Sequence, residues 1–281
     1  MTGREPHELR AQHLTLGYDG PDVIDALDVT VLDGRITMIV GANACGKSTL
    51  LRGLARLLRP RGGEVILDGK SVQDMRSIDV AKVLGLLPQT PVAPDGITVG
   101  DLVGRGRYPH QGWFRRWSAD DDEAVATALE STGTADLVER GLAELSGGQR
   151  QRVWIAMALA QDSDLLLLDE PTTHLDICHQ IELLDLLTDL NRASGKTIVV
   201  VIHDLNLACR YADHVIAMKD GVILAEGAPR KVVTAALVSE VFGLVCEIVP
   251  DPVSNTPLVV PRGRYHSEAE SSGRASAVSA D

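Results

Sequence analysis

With 281 residues, 44% of them hydrophobic, the chain is long enough to bury a large core as one domain carrying a subdomain or two. A net charge of −12 argues against DNA, RNA or anionic lipid as the main partner, because those contacts need clustered Lys and Arg. No apolar run approaches a membrane span, Met1–Pro6 lacks a signal-peptide core, and Cys45, Cys178, Cys209 and Cys246 show no paired spacing. Reduced thiols on the cytoplasmic side are therefore expected.

Residues 8–40 carry short β-rich runs broken at Gly17-Tyr18-Asp19-Gly20-Pro21 and Leu32-Asp33-Gly34, which read as a small, largely antiparallel sheet. The apolar run Arg35–Val40 feeds Gly41-Ala42-Asn43-Ala44-Cys45-Gly46-Lys47-Ser48-Thr49, and Leu50–Leu58 continues as a helix stopped by Arg59-Pro60. Strand, G-x-x-x-x-G-K-S and helix in succession make a phosphate loop. Its backbone N–H groups and the positive end of the helix dipole converge on one anion. Lys47 can reach the β- and γ-phosphates of a nucleotide, and the Ser48 hydroxyl can ligate Mg²⁺.

Gly62-Gly63 turns into a strand at Glu64–Leu67, and Val83–Leu87 is a further apolar run closed by Pro88-Gln89. From about residue 97 to 160 the period becomes helical. Asp101–Arg107 reads as a short helix. Ser118 opens another, through Asp120-Asp121-Asp122-Glu123 to Leu129, with acidic residues that suit its dipole. Arg150–Ala160 is apolar nearly all round, as in a buried helix. Between them Tyr108, Trp113, Phe114 and Trp117 interleave with Arg105, Arg107, Arg115 and Arg116, either as interface anchors or as the local core of a folded-back loop.

Leu145-Ser146-Gly147-Gly148-Gln149 is a capping box opening the apolar helix. Each glycine behind the cap costs about 1 kcal/mol relative to Ala in a helix interior, but leaves the first N–H groups open to a phosphate. Two phosphate-binding helix starts predict one nucleotide held between two copies of the chain. Leu165–Leu168 and Thr197–Ile202 are continuous apolar strands, as in a parallel sheet covered on both faces. Ile177, Ile181, Leu184 and Leu187 repeat between them at helical spacing, so the fold class is α/β with right-handed crossovers. Asp169-Glu170 closes the first of these strands, at the end where ligands bind in open α/β sheets. Asp169 is expected at the Mg²⁺ beside Ser48, and Glu170 at the water that attacks the γ-phosphate. Beyond about residue 262 the Ser-, Ala-, Gly- and Glu-rich tail is expected to be disordered.

The phosphate loop, Leu145-Ser146-Gly147-Gly148-Gln149-Arg150-Gln151-Arg152 and Leu168-Asp169-Glu170-Pro171-Thr172, in that order, resemble the ATP-binding subunit of ABC transporters over about residues 8–262. The resemblance implies a P-loop NTPase (RecA-like) core with an antiparallel β subdomain and a helical subdomain inserted at about 92–160. It implies that Tyr18 stacks on adenine, that Gln89 touches Mg²⁺ or water, that Asp176 is the D-loop aspartate and that His203 contacts the γ-phosphate. Two chains would close on two ATP molecules, each held by residues 41–49 of one chain and the Ser146-Gly147-Gly148-Gln149 stretch of the other. Ala42 stands where the family commonly has Pro, and Ala44 where it has Gly; a Cβ at position 44 is expected to alter nucleotide affinity. Cys45 is either a thiol-sensitive point or simply a small residue tolerated there.

Arg105–Gln111, His203–His214, Gly243–Pro252 and Thr256–Pro261 are similar to ATPases of iron–siderophore importers, particularly the ferric-enterobactin type. That resemblance implies two integral membrane permease subunits and an extracytoplasmic siderophore-binding protein. The chain would then sit peripherally on the cytoplasmic face of the inner membrane, with no nucleic acid partner, and the basic-aromatic stretch would touch the permease. Haem and cobalamin importers carry related ATPases. A soluble, non-transport ABC ATPase is the alternative of a different kind.

Overall fold

The computed structural model describes residues 5–111, 117–173 and 175–263. Strands β1 (Leu9–Gly17) and β2 (Asp22–Val31) form an antiparallel pair, and β3 (Ile36–Gly41) runs into the phosphate loop and helix α1 (Lys47–Leu54). Strands β4 (Gly62–Leu67) and β5 (Lys70–Ser71) follow, then helix α2 (Ser77–Val83) and β6 (Leu84–Leu87). Helices α3 (Val99–Gly104), α4 (Ala119–Ser131) and α5 (Gly147–Ala160) come next. The core resumes with β7 (Leu165–Asp169), α6 (Ile177–Ser194), β8 (Thr197–Val201), α7 (Leu205–Tyr211), β9 (His214–Lys219) and β10 (Val222–Gly227). Short helices α8 (Pro229–Val232) and α9 (Ala235–Phe242) lead to the hairpin β11 (Cys246–Pro250) and β12 (Pro257–Pro261).

The central sheet has the order β10-β9-β3-β8-β7-β6, parallel from β9 to β6, with β10 antiparallel at one edge. A second, antiparallel sheet has the order β2-β1-β4-β5. The continuous apolar strands follow from burial on both faces. Met38, Val40, Leu166, Leu168, Ile198 and Val200 point into a core shared with α3, α4, α5 and α6. Their alternating neighbours Ile39, Leu165, Leu167, Val199 and Val201 point into a second core shared with α1 and the antiparallel sheet. The fold is the expected α/β core with an antiparallel sheet beside it. One detail differs: the last run of residues 8–40, β3, pairs with β8 and β9 and so belongs to the parallel sheet.

Helix α1 is shorter than the apolar pattern to Leu58 implied, because Arg56 adopts φ +62° and ends it. The helical run at residues 101–107 is α3 followed by a tighter 3₁₀ turn, Arg105–His110. Helix α4 opens at a capping box in which Ser118 and Asp121 satisfy each other's backbone N–H groups. Arg107, buried, donates to Asp121 Oδ1 (2.9 Å) and to the Ala160 carbonyl (2.9 Å), locking the 3₁₀ turn onto α4 and α5. Arg107 is therefore a structural ion-pair member and not part of an exposed docking surface. Tyr108 and Trp117 are exposed, whereas Trp113, Phe114, Arg115 and Arg116 lie outside the described residues, as does the tail from residue 264.

Candidate active site

The loop after β3 turns into α1 at Gly46, whose φ of +104° is one that side chains other than glycine rarely take. No side chain caps α1, so its first N–H groups are left for an anion. Ala44 adopts φ +61° in the same loop, with a Cβ where glycine would carry none. Lys47, only 4% exposed, donates its Nζ to the carbonyls of Gly41 and Ala42, both at 2.9 Å. Cys45 is buried, and burial pushes its thiol pKa up even though Lys47 lies close by. Cys45 nevertheless lines the cleft described below, with Lys47 Nζ 4.0 Å from its Sγ.

Ser48 Oγ donates to Asp169 Oδ1 at 2.7 Å. Asp169 is 2% exposed, its other carboxylate oxygen is buried without a partner, and burial holds its pKa above the usual carboxylate value. An orphaned carboxylate oxygen beside a hydroxyl is an all-oxygen donor pair, and it fits Mg²⁺.

Glu170, next in the chain, sits at φ +52° with its N–H bonded to the Val201 carbonyl at 3.1 Å. Its carboxylate gathers groups from three segments. Gln89 Nε2 donates to Oε2 (2.5 Å), His203 Nε2 pairs with Oε1 (2.6 Å), and Thr173 Oγ1 donates to Oε2 (3.3 Å). Gln89 comes from the end of β6 and His203 from just beyond β8, so strands neighbouring β7 deliver both. A cleft of about 490 Å³ opens here, lined by Ala44, Lys47, Ser48, Gln89, Glu170 and His203 among others.

A profile of the ABC transporter family matches residues 24–173. The chain belongs to the ABC transporter family.

Among its relatives is the ferric enterobactin transport ATP-binding protein FepC of Escherichia coli K12, 55% identical over 91% of this chain and 94% of that one. The achromobactin transport ATP-binding protein CbrD of Dickeya dadantii is 54% identical over 91% of this chain and 95% of its own. A dimeric structure of a bacterial ABC transporter cassette superposes with a TM-score of 0.71 at 28% identity, covering 78% of this chain and 98% of that one. The chain is thus an ABC cassette.

Tyr18, Ser146, Gly147, Gly148, Gln149 and Asp176 are not among the residues that line this cleft. Ser146 and Gln149 make their capping box at the start of α5, with Ser146 Oγ accepting from Gln149 N at 3.2 Å. A Cβ built at Gly147 would meet nothing within 4 Å, and one at Gly148 only Leu175 and His179 at ordinary contact distance. Asp176 caps α6, accepting from His179 N (3.0 Å) and pairing with His179 Nδ1 (2.7 Å), which holds its carboxyl below the usual range. Tyr18, on the turn after β1, is 45% exposed and accepts from Arg52 Nη1 through its hydroxyl (3.1 Å).

Two contacts went unread in the sequence. Thr173 on Glu170 is one. The other is Gln151 Nε2, which donates to the Pro171 carbonyl (3.0 Å) and so ties α5 to the segment that follows Glu170. A threonine three residues past a strand end carries no signal of its own. Gln151 carried no signal of its own either, since it stands among Gln149, Arg150 and Arg152 in the polar first turns of α5.

Proposed function

We propose that the chain is the ATP-hydrolysing subunit of a ferric-siderophore importer. The observation that carries the hydrolytic reading is the convergence of Gln89 and His203 on the Glu170 carboxylate, beside the Ser48–Asp169 pair. The siderophore reading is supported by relatives named for ferric enterobactin and achromobactin transport at 54–55% identity.

Two chains close on two ATP molecules. In each site residues 41–49 of one chain wrap the phosphates, Lys47 exchanging its two carbonyl partners for phosphate oxygens, while Tyr18 stacks on adenine. The partner's Ser146–Gln149 stretch faces the same γ-phosphate; the open space at Gly147 supports this. Mg²⁺, held by Ser48 and Asp169 with Gln89 nearby, neutralises phosphate charge when bound. Glu170 orients and polarises the water whose oxygen forms the new bond to γ-phosphorus as the bond to the ADP oxygen breaks. Gln89 and His203 fix the carboxylate, and His203 reaches the γ-phosphate; Asp176 takes its place at the seam between the two chains.

Two integral membrane permease subunits receive the motion through the Gln89 region, and an extracytoplasmic binding protein delivers the siderophore. The chain works peripherally, on the cytoplasmic face of the membrane. Among the described residues no helix is long and apolar enough to cross one.

Glu170→Gln tests this reading. It removes the charge that polarises the water, so turnover falls about 10²- to 10⁴-fold while ATP affinity stays near that of the parent. Equal phosphate release by variant and parent would remove Glu170 from this role.

A further inference from the structure

Arg61 lies outside every motif named above, just before β4, yet its guanidinium is bound to the turn that carries Tyr18. Nη1 donates to the Gly20 carbonyl (2.9 Å) and to Asp22 Oδ1 (2.8 Å), and Nη2 donates to the Tyr18 carbonyl. Arg61's own N–H is anchored on the Thr15 carbonyl of β1 at 2.9 Å. The guanidinium crosses β1 where the strand ends in Gly17, and a Cβ there would lie 2.9 Å from Arg61 Nη1. A second arginine, Arg52 on α1, holds the far end of the same residue through the Tyr18 hydroxyl (3.1 Å).

The turn between β1 and β2 is exposed, and an exposed turn of this kind is mobile unless something ties its backbone down. A planar guanidinium bonded to two carbonyls and a carboxylate does so with fixed geometry, which a lysine cannot reproduce. Arg52 adds a link from the ring to the helix whose start holds the phosphates. The distance between a base lying on Tyr18 and phosphates lying on residues 41–49 is then set by two arginines that touch neither.

We propose that Arg61, assisted by Arg52, is a positioning residue that holds Tyr18 ready as the adenine platform and thereby sets nucleotide affinity. The proposal rests on the reading of Tyr18 as the base-stacking residue. The Arg61–Asp22 pair is solvent-exposed, and such pairs contribute little to stability.

The test measures ATP dissociation constants by calorimetry on the full chain in the Glu170→Gln background, with inorganic tripolyphosphate as a ligand that has no base. Loss of a base stack weakens binding by roughly 5- to 150-fold. Tyr18→Ala is expected in that range and Arg61→Ala at about tenfold. Tripolyphosphate binding stays unchanged in both, and Tyr18→Ala/Arg61→Ala is no weaker for ATP than Tyr18→Ala. In the otherwise native chain, Arg61→Ala raises KM for ATP and leaves kcat alone. If Arg61→Ala fails to fold, Arg61→Lys, which keeps the charge but not the fork, is expected to weaken ATP about threefold. Parent-like ATP affinity, an equal loss for tripolyphosphate, or additive losses in the double variant would overturn the proposal. Parent-like affinity in Tyr18→Ala would overturn the stacking reading itself, and this proposal with it.

Discussion

Ala44 occupies a backbone conformation that L-residues other than glycine avoid, φ +61°, inside the loop that wraps the phosphates. The left-handed region costs a residue with a Cβ about 1–2 kcal/mol, part of it offset by the smaller entropy an alanine loses on folding. Ala44→Gly is therefore expected to stabilise the chain by about 0.5–1 kcal/mol, read as a rise in urea midpoint with unchanged slope. A lower midpoint would mean that the Cβ makes a compensating contact. Glu170, at φ +52°, carries the same kind of strain where the chemistry is placed, and four contacts to Val201, Gln89, His203 and Thr173 hold it there. The sequence made Lys47, Ser48, Asp169 and Glu170 legible because motif and flanking strand fix their chemistry locally. Gln89 and His203 were legible only through the family resemblance, since a lone residue at a strand end has no signature. The burial of Cys45 was not legible, because burial of one small side chain depends on packing from distant segments.

At the level of single elements, α5 was readable from its first turn, where a capping box precedes an apolar run. Helix α2 was not: it has seven residues, and only Val80 is buried. Helix α6 was placed correctly from the spacing of Ile177, Ile181, Leu184 and Leu187. Which of them the core would cover was not readable: Ile177 is 80% exposed, and the buried side chains are Leu183, Leu184 and Leu187. The hairpin β11–β12 shows how one carboxylate can organise an element. Asp251 accepts from Val253 N (2.7 Å), Ser254 N (3.1 Å) and Arg210 Nη2 (2.6 Å), and Arg210 above all draws its pKa down to about 2. A depressed carboxylate pKa contributes stability that is full above the unfolded value near 4 and is lost as pH falls through 2. Hydrogen exchange corrected for intrinsic rates is expected to show weaker protection of β12 in Asp251→Asn than in the parent at pH 7. That difference should shrink steadily between about pH 4 and pH 2; a difference undiminished at pH 2 would place the effect elsewhere than in the charge.

On the scale of the whole molecule, the two cores on either face of the central sheet were foreseeable, because runs such as Leu165–Leu168 have no polar side to expose. The proposed site calls for a second copy because the phosphate loop lines the cleft of the single chain and Ser146–Gln149, at the start of α5, does not. Gln151 on α5 bonds the carbonyl of the residue after Glu170, and Gln89 at the end of β6 bonds Glu170 itself, so a helix and a strand both reach the segment that carries this carboxylate. The most direct measurement is disulfide crosslinking between Asn43→Cys and Gly147→Cys. The exposed Cys178 is replaced by Ser, Glu170→Gln slows turnover, and the buried Cys45, Cys209 and Cys246 stay in place. With Mg-ATP the account predicts a crosslinked species of twice the 30.1 kDa chain mass, and without nucleotide little of it. Failure to crosslink at saturating Mg-ATP, or crosslinking that ignores nucleotide, would contradict a site completed by a second copy.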